Sequence, residues 1–249
     1  NGGESAQILN SMLFERGITL APHQSRRVLS VMKQFDNSRG ATAFFLTLLL
    51  RKVLRWRSYD GQGDKENDIK DPSSPLYLES SIKGLVSQLF EDIENKYGEK
   101  LVRRSLAFLT YAREGISDSE MIDLLSLDDS LLNDIYAFEE AKSSLGGDLS
   151  KWRVPAHVWV RIRSELKGLV VTRTGNCLQW YHRQIIETAE TRYKAEQKQC
   201  HHYMGLYFCN LLSNEVVKNR KIRRQCMSLD QNRTKSILDI PVAQINRRH

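Results

Sequence analysis

The stretch LKGLVVTRTGNCLQWYHRQII, residues 166–186, decides the fold. Leu169 to Arg173 and Cys177 to Tyr181 are runs rich in β-branched and aromatic residues, and Thr174-Gly175-Asn176 between them is turn-forming, so a two-strand hairpin is the economical reading. Just upstream, Gly168 ends a predicted helix that follows Pro155, a residue suited to a first helical turn, with Val158, Ile162 and Leu166 spaced to face one way. Further back, Ser117-Asp118-Ser119-Glu120 reads as a capping box. In it the serine hydroxyl and the glutamate carboxylate satisfy each other's free backbone N–H groups, and Met121, Ile122, Leu124 and Leu125 supply the apolar face that follows. Before that comes a helix carried by Leu101, Ser105, Leu106, Phe108 and Leu109, which stops at Gly115. Downstream of the hairpin, Trp180-Tyr181-His182-Arg183 opens a last helix. Three helices, a hairpin and a closing helix make the order of a winged helix over residues 99–193, with the hairpin as the wing.

The rest of the chain reads as helices around this domain. Ile8, Met12 and Leu13 suggest a short helix over residues 4–14, and Pro22 opens a second whose Val28, Leu29, Met32 and Phe35 keep helical spacing. Asp36 to Gly40 reads as a break. A third helix, Ala41 to Trp56, is apolar around much of its circumference and forms the centre of a helical domain spanning residues 1–59. Residues 60–76 form a polar linker. Ile82, Leu85, Val86, Leu89, Phe90 and Ile93 make the cleanest amphipathic helix, which connects the two parts over residues 77–98. After Leu127, Leu131, Leu132, Ile135 and Tyr136 continue as another helix, and Asp128-Asp129 are placed to cap it. Lys142 to Asp148 is an exposed insertion. Beyond Tyr193 a helical arm over residues 194–249 is expected, with Tyr203, Leu206, Tyr207 and Leu211 as its stripe. The expected fold class is therefore mainly α: a helical bundle, a winged-helix domain with a small β-hairpin, then further helices.

Composition excludes several functions. Of 249 residues, 41% are hydrophobic and 27% charged, ordinary for a globular protein, and no apolar run approaches the length of a membrane span. The chain opens Asn1-Gly2-Gly3 with neither methionine nor signal-peptide pattern, and reads as a piece of something longer. Cys177, Cys200, Cys209 and Cys226 have no paired spacing, which points to a reducing, cytoplasmic setting. Cys200-His201-His202 with Cys209 matches no familiar ligand pattern, and helix packing is the favoured reading. The net charge of +7 is concentrated at the C-terminal end: Asn214 to His249 carries nine Lys or Arg against three acids. With no aromatic interleaving, that tail reads as a solvated, partner-facing segment. Gly61-Gln62-Gly63 lacks the Gly-Lys-Ser/Thr ending of a phosphate loop. No apolar run ends in paired acids, and His23, His157, His201 and His202 have no nucleophile placed near them, so neither ATP hydrolysis nor other enzyme chemistry is expected of these residues.

The pieces LAFLTYAREGISDSEMIDLLSLDDSLLNDIY (106–136), VWVRIRSELKGLVV (158–171) and WYHRQIIETAETRY (180–193) together resemble the winged-helix part of NACHT-type nucleotide switches. The closest likeness is to large animal proteins in which a NACHT module precedes tetratricopeptide or WD repeats. The likeness extends through LLLRKVLRWRSY (48–59) and IKGLVSQLFEDIENKYGEKLVRRSL (82–106), and so covers most of residues 10 to 193.

The resemblance implies an arm that closes over ADP or ATP, with magnesium, held by an ATPase core upstream in the same chain. Protein partners or self-association through downstream repeats follow from it as well. His182 is implied to reach the phosphates of bound ADP; by residue type alone it is a cap or a packing residue at the strand-to-helix turn. Ala43 falls where the family usually carries a proline against the nucleotide base. Leu238-Asp239-Ile240-Pro241 resembles the stretch that precedes a repeat array, though Val242 and Ala243 replace the aromatic and histidine that usually follow. Two other readings stay open. One is a nucleic-acid-binding winged helix presenting Arg161, Arg163 and Lys167 from the helix and Arg173 from the wing, a surface interrupted by Glu165; the other is a structural adaptor.

Overall fold

The computed structural model describes residues 2–39, 42–61, 71, 74–136 and 153–208. The insertion at 142–148, the Leu238–Pro241 stretch and the basic tail lie outside the described residues. The chain divides into two compact units between Asp92 and Ile93.

The first unit contains α1 (Gly2–Phe14), α2 (Pro22–Arg39), α3 (Ala43–Val53) and the first part of α4 (Ile82–Tyr97). Pro22 occupies the first position of α2, where its missing N–H costs nothing. Thr42 caps α3, its side chain accepting from the Phe45 N–H at 3.2 Å. Phe45, Leu48 and Leu49 are fully buried, and Phe35 of α2 stacks on Phe45 with ring centroids 3.8 Å apart. Four expectations need correction. Leu9 and Leu13, not Ile8, carry the buried face of α1, and Ile8 is half exposed. Val31 replaces Leu29 in the core of α2. The helix also runs on through Asp36 to Arg39 where a break was expected, and α3 starts at Ala43 and ends at Val53, inside the expected limits. Arg27 donates to the Leu78 carbonyl at 3.0 Å and the Gln24 amide to the Arg57 carbonyl at 2.7 Å, which fastens the segments after α3 onto α2.

The second unit is the winged helix. Its helices are α5 (Glu99–Tyr111), α6 (Asp118–Leu125), α7 (Asp129–Ile135) and α8 (Ala156–Glu165), followed by β1 (Val170–Arg173), β2 (Cys177–Trp180), α9 (Arg183–Arg192) and α10 (Gln197–Phe208). The strands pair antiparallel with Val170 opposite Trp180 and Arg173 opposite Cys177. The Thr174–Asn176 turn between them uses positive φ at Gly175 and Asn176. Ile116 forms an isolated antiparallel bridge to β2 by exchanging both backbone hydrogen bonds with Leu178, at 3.1 and 2.8 Å. The capping box is present: Glu120 N–H donates to Ser117 Oγ at 3.3 Å and Ser117 N–H to the Glu120 carboxylate at 2.8 Å. Asp128 caps α7.

The main correction in this unit concerns α8. Pro155 is its N-cap rather than a first-turn residue, and Trp159, not Val158, anchors it in the core with Ile162 and Leu166. Burying a side chain of that size contributes on the order of 3 kcal/mol relative to exposure. The fold class is as the sequence indicated: mainly helical, with a winged helix and one small hairpin.

Candidate functional site at the start of the closing helix

β2 ends at Trp180, whose indole N–H donates to Thr110 Oγ1 of α5 at 3.1 Å. Tyr181 N–H donates to the Leu169 carbonyl at 2.8 Å and its ring is 62% exposed, so the chain leaves the hairpin at a fixed place on the surface. His182 is next, in extended conformation, as the N-cap of α9. Its Nδ1 accepts from the Gln184 N–H at 3.2 Å. A ring nitrogen that accepts carries no proton, so the neutral ring has its proton on Nε2, which is then a donor. Arg183, 89% exposed, is paired with Glu187 one turn on at 2.8 Å.

The far end of α9 is held more firmly. Arg192 grips the buried Glu94 through Nε at 3.0 Å and Nη2 at 2.5 Å, and Tyr193 OH donates to the same carboxylate at 3.0 Å. Tyr193 is fully buried, which pushes its phenol well above the usual tyrosine range, with the Glu94 charge adding to the effect. A side chain at the start of α9 is thus carried on a helix whose other end is clamped.

Ala43 is the first residue of α3, exposed, immediately after the Thr42 cap. It belongs to the first unit, and His182 belongs to the second.

The four basic residues of the nucleic-acid reading do not form the set expected of them. Arg161, Lys167 and Arg173 are exposed. Arg163 turns instead to Asp118 at the start of α6, a carboxylate that also accepts from the buried Trp159 indole at 2.7 Å. Its partner was hidden in the capping box, where Asp118 reads as an ordinary first-turn acid. Glu165, expected to interrupt the surface, accepts from Lys96 at 2.7 Å and Tyr97 OH at 3.0 Å. What remains outward on α8 and the wing is Arg161, Lys167 and Arg173.

Cys200 packs fully buried in α10, and burial pushes its thiol up to about 12. Among the described residues, no three His, Cys, Asp or Glu side chains gather as a metal site, and no helix is long and apolar enough to cross a membrane.

The comparisons with known proteins cover much of the second unit and part of the first. The family model described as NWD1-like, winged helix-turn-helix domain matches residues 76–201. Mouse NACHT and WD repeat domain-containing protein 2 is 28% identical over 197 residues, covering 76% of this chain and 10% of the relative. Human NACHT domain- and WD repeat-containing protein 1 is 24% identical over 223 residues, covering 88% of this chain and 13% of the relative. The chain thus spans about a tenth of the length of these curated relatives. No solved structure gives a significant match. The matched residues run from the end of the segment before α4 through the hairpin and α9 into α10, and over them the chain belongs to the NWD1-like winged helix-turn-helix family found with NACHT and WD-repeat proteins.

Proposed function

We propose that the chain is the regulatory arm of a NACHT-type ATP/ADP switch, closing over a nucleotide that an upstream ATPase core binds with magnesium. In this reading the chain itself performs no chemistry; it reports which nucleotide is present. The observation that carries the reading is His182 as the cap of α9 in a domain of this family. Because Nδ1 is engaged by the Gln184 N–H, the proton lies on Nε2, and a neutral imidazole in that tautomer donates to a phosphate oxygen while still capping its helix. The positive end of the helix dipole lies beside it, which favours an anion at the same place. Capping and nucleotide binding are therefore one geometry, not competing roles. The ADP and ATP states differ in the phosphate charge offered to this donor, and such a differential contact is what shifts a two-state arm. Ala43, exposed at the start of α3, is assigned to the base side, where it offers a methyl group in place of a proline ring.

The test uses a protein long enough to include the upstream core. Purified wild type is denatured and its supernatant assayed for ADP. The expected result is ADP in the wild type and less of it in His182→Ala. Equal ADP in both would remove His182 from the site.

A second reading is favoured by one observation: with Glu165 paired to Lys96 and Tyr97, the outward basic residues of α8 and the wing have no acid of α8 among them. A nucleic-acid reader predicts duplex binding that weakens with salt and falls on replacing Arg161 and Lys167, with little change for Arg163→Ala. Binding unaffected by Arg161 and Lys167 would dismiss it.

A further inference from the structure

Asp123, in the middle of α6, is 1% exposed, and its two carboxylate oxygens are taken by segments distant in sequence. Tyr207 OH, from the last turn of α10, donates to Oδ2 at 2.9 Å. The Arg153 guanidinium, from the segment leading into α8, donates to Oδ1. That segment is seated by two more bonds: Tyr136 OH donates to the Arg153 carbonyl at 2.7 Å, and the Val154 N–H to Ser126 Oγ at 2.9 Å. Ser126 in turn donates to the Ile122 carbonyl at 2.6 Å, which returns the network to α6.

A carboxylate so deeply buried is tolerated only while its charge is paired and its oxygens are filled. Neither donor can leave without exposing the other to an under-satisfied charge. The two donors therefore hold each other in place through an acid that belongs to neither segment. We infer that Asp123 is a joint coupling the entry of α8 to the end of α10, so that displacement of either loosens the other.

α10 is prepared for this role at its other end as well. Arg104 of α5, 7% exposed, pairs with Glu196 at 2.8 Å and Asp128 at 3.2 Å and donates to Gln199 at 2.7 Å, so the helix is pinned where it begins and where it ends. The joint itself stands on this geometry alone. Its consequence rests on the switch reading above: movement of the winged helix is carried, without slack, into the chain that follows Phe208.

The experiment is hydrogen exchange on the full chain, comparing wild type with Tyr207→Phe, Arg153→Gln and the double variant. Tyr207→Phe removes one oxygen and is expected to raise exchange about tenfold at the Val154 amide and in the first turn of α8, far from the altered ring in sequence. Arg153→Gln is expected to do the same in the last turn of α10. The double variant is expected to show less than the product of the single effects, because the joint is already broken. If each substitution changes exchange only in its own segment, and the two effects multiply, the joint does not exist. Arg153→Lys keeps the charge but not the planar donor geometry, and replaces Arg153→Gln should that variant not fold. No nucleotide enters this test, so its failure and the failure of the switch reading are separate results.

Discussion

Asp123 shows how much at the scale of single residues depends on partners the sequence does not announce. In the sequence it is one acid between Ile122 and Leu124; its partners Arg153 and Tyr207 are 30 and 84 residues away, and no local pattern joins them. Burial raises its carboxyl above the usual aspartate range, against the opposing pull of Arg153 and Tyr207. A raised folded-state value means that the folded chain binds the proton more tightly than the unfolded chain does. The stability this group contributes is thus fully present below the ordinary aspartate value and is lost as pH rises through the raised one. Asp123→Asn should remove that slope from a plot of unfolding free energy against pH, whereas Asp123→Ala should cost about 1–3 kcal/mol by leaving the buried Tyr207 hydroxyl without its acceptor and the partly exposed Arg153 without its partner. Urea unfolding across that window measures both. Cys200 gives a second check: with its thiol pushed up to about 12, it should resist alkylation at pH 8 until the chain unfolds. Rapid labelling of Cys200 in the native chain would contradict its placement. His182 reads from residue type as a cap, which its Nδ1 bond from the Gln184 N–H bears out, and the phosphate contact is what the family likeness implies and the proposal takes up.

At the scale of elements, the features that local chemistry determines were legible, and those that depend on neighbours were not. The capping box at Ser117 needs only residues three apart, and it is present; Ser117→Ala should destabilise the second unit by about 1 kcal/mol in chemical unfolding. The six apolar positions of α4 from Ile82 to Ile93 are all buried, because a stripe that regular can face only one way. Tyr207 of the expected α10 stripe is buried, whereas Trp159 takes the place expected of Val158, and Cys200 and Met204 take the places expected of Tyr203 and Leu206, since which neighbour of an apolar pair turns inward is decided by the partner surface. The Ile116 bridge to Leu178 is not legible in the sequence, because a single bridged residue leaves no periodicity. Gly115 before it has φ of +78°, and a Cβ there would stand 2.6 Å from the Leu178 carbonyl oxygen. Backbone strain and overpacking then act together, so Gly115→Ala should cost about 2–4 kcal/mol, more than Ser117→Ala, by the same unfolding measurement. A smaller loss at Gly115 than at Ser117 would mean that the Ile116 bridge is not held against the wing.

For the whole molecule, the two units differ in what could be known beforehand. The winged helix follows from an order of elements, helices, a two-strand hairpin and a closing helix. The family match at residues 76–201 adds the setting, a NACHT and WD-repeat context in which this chain is about a tenth of the relatives' length. At this scale the sequence shows the winged helix and its family, while the arm and its latch at His182 are the proposal to be tested. Replacing His182 by alanine removes the cap and the proposed phosphate donor together, and a loss of ADP in that variant alone would leave two explanations. His182→Asp separates them: aspartate caps a helix well and favours the positive end of its dipole, yet places a negative charge where a phosphate is proposed. The decisive measurement is therefore the ADP content and ADP release rate of the long protein carrying His182→Asp. A phosphate contact at His182 predicts a domain at least as stable as the wild type that has lost its ADP or releases it about tenfold faster or more. Wild-type retention of ADP by His182→Asp would contradict it and leave His182 as a helix cap and nothing more.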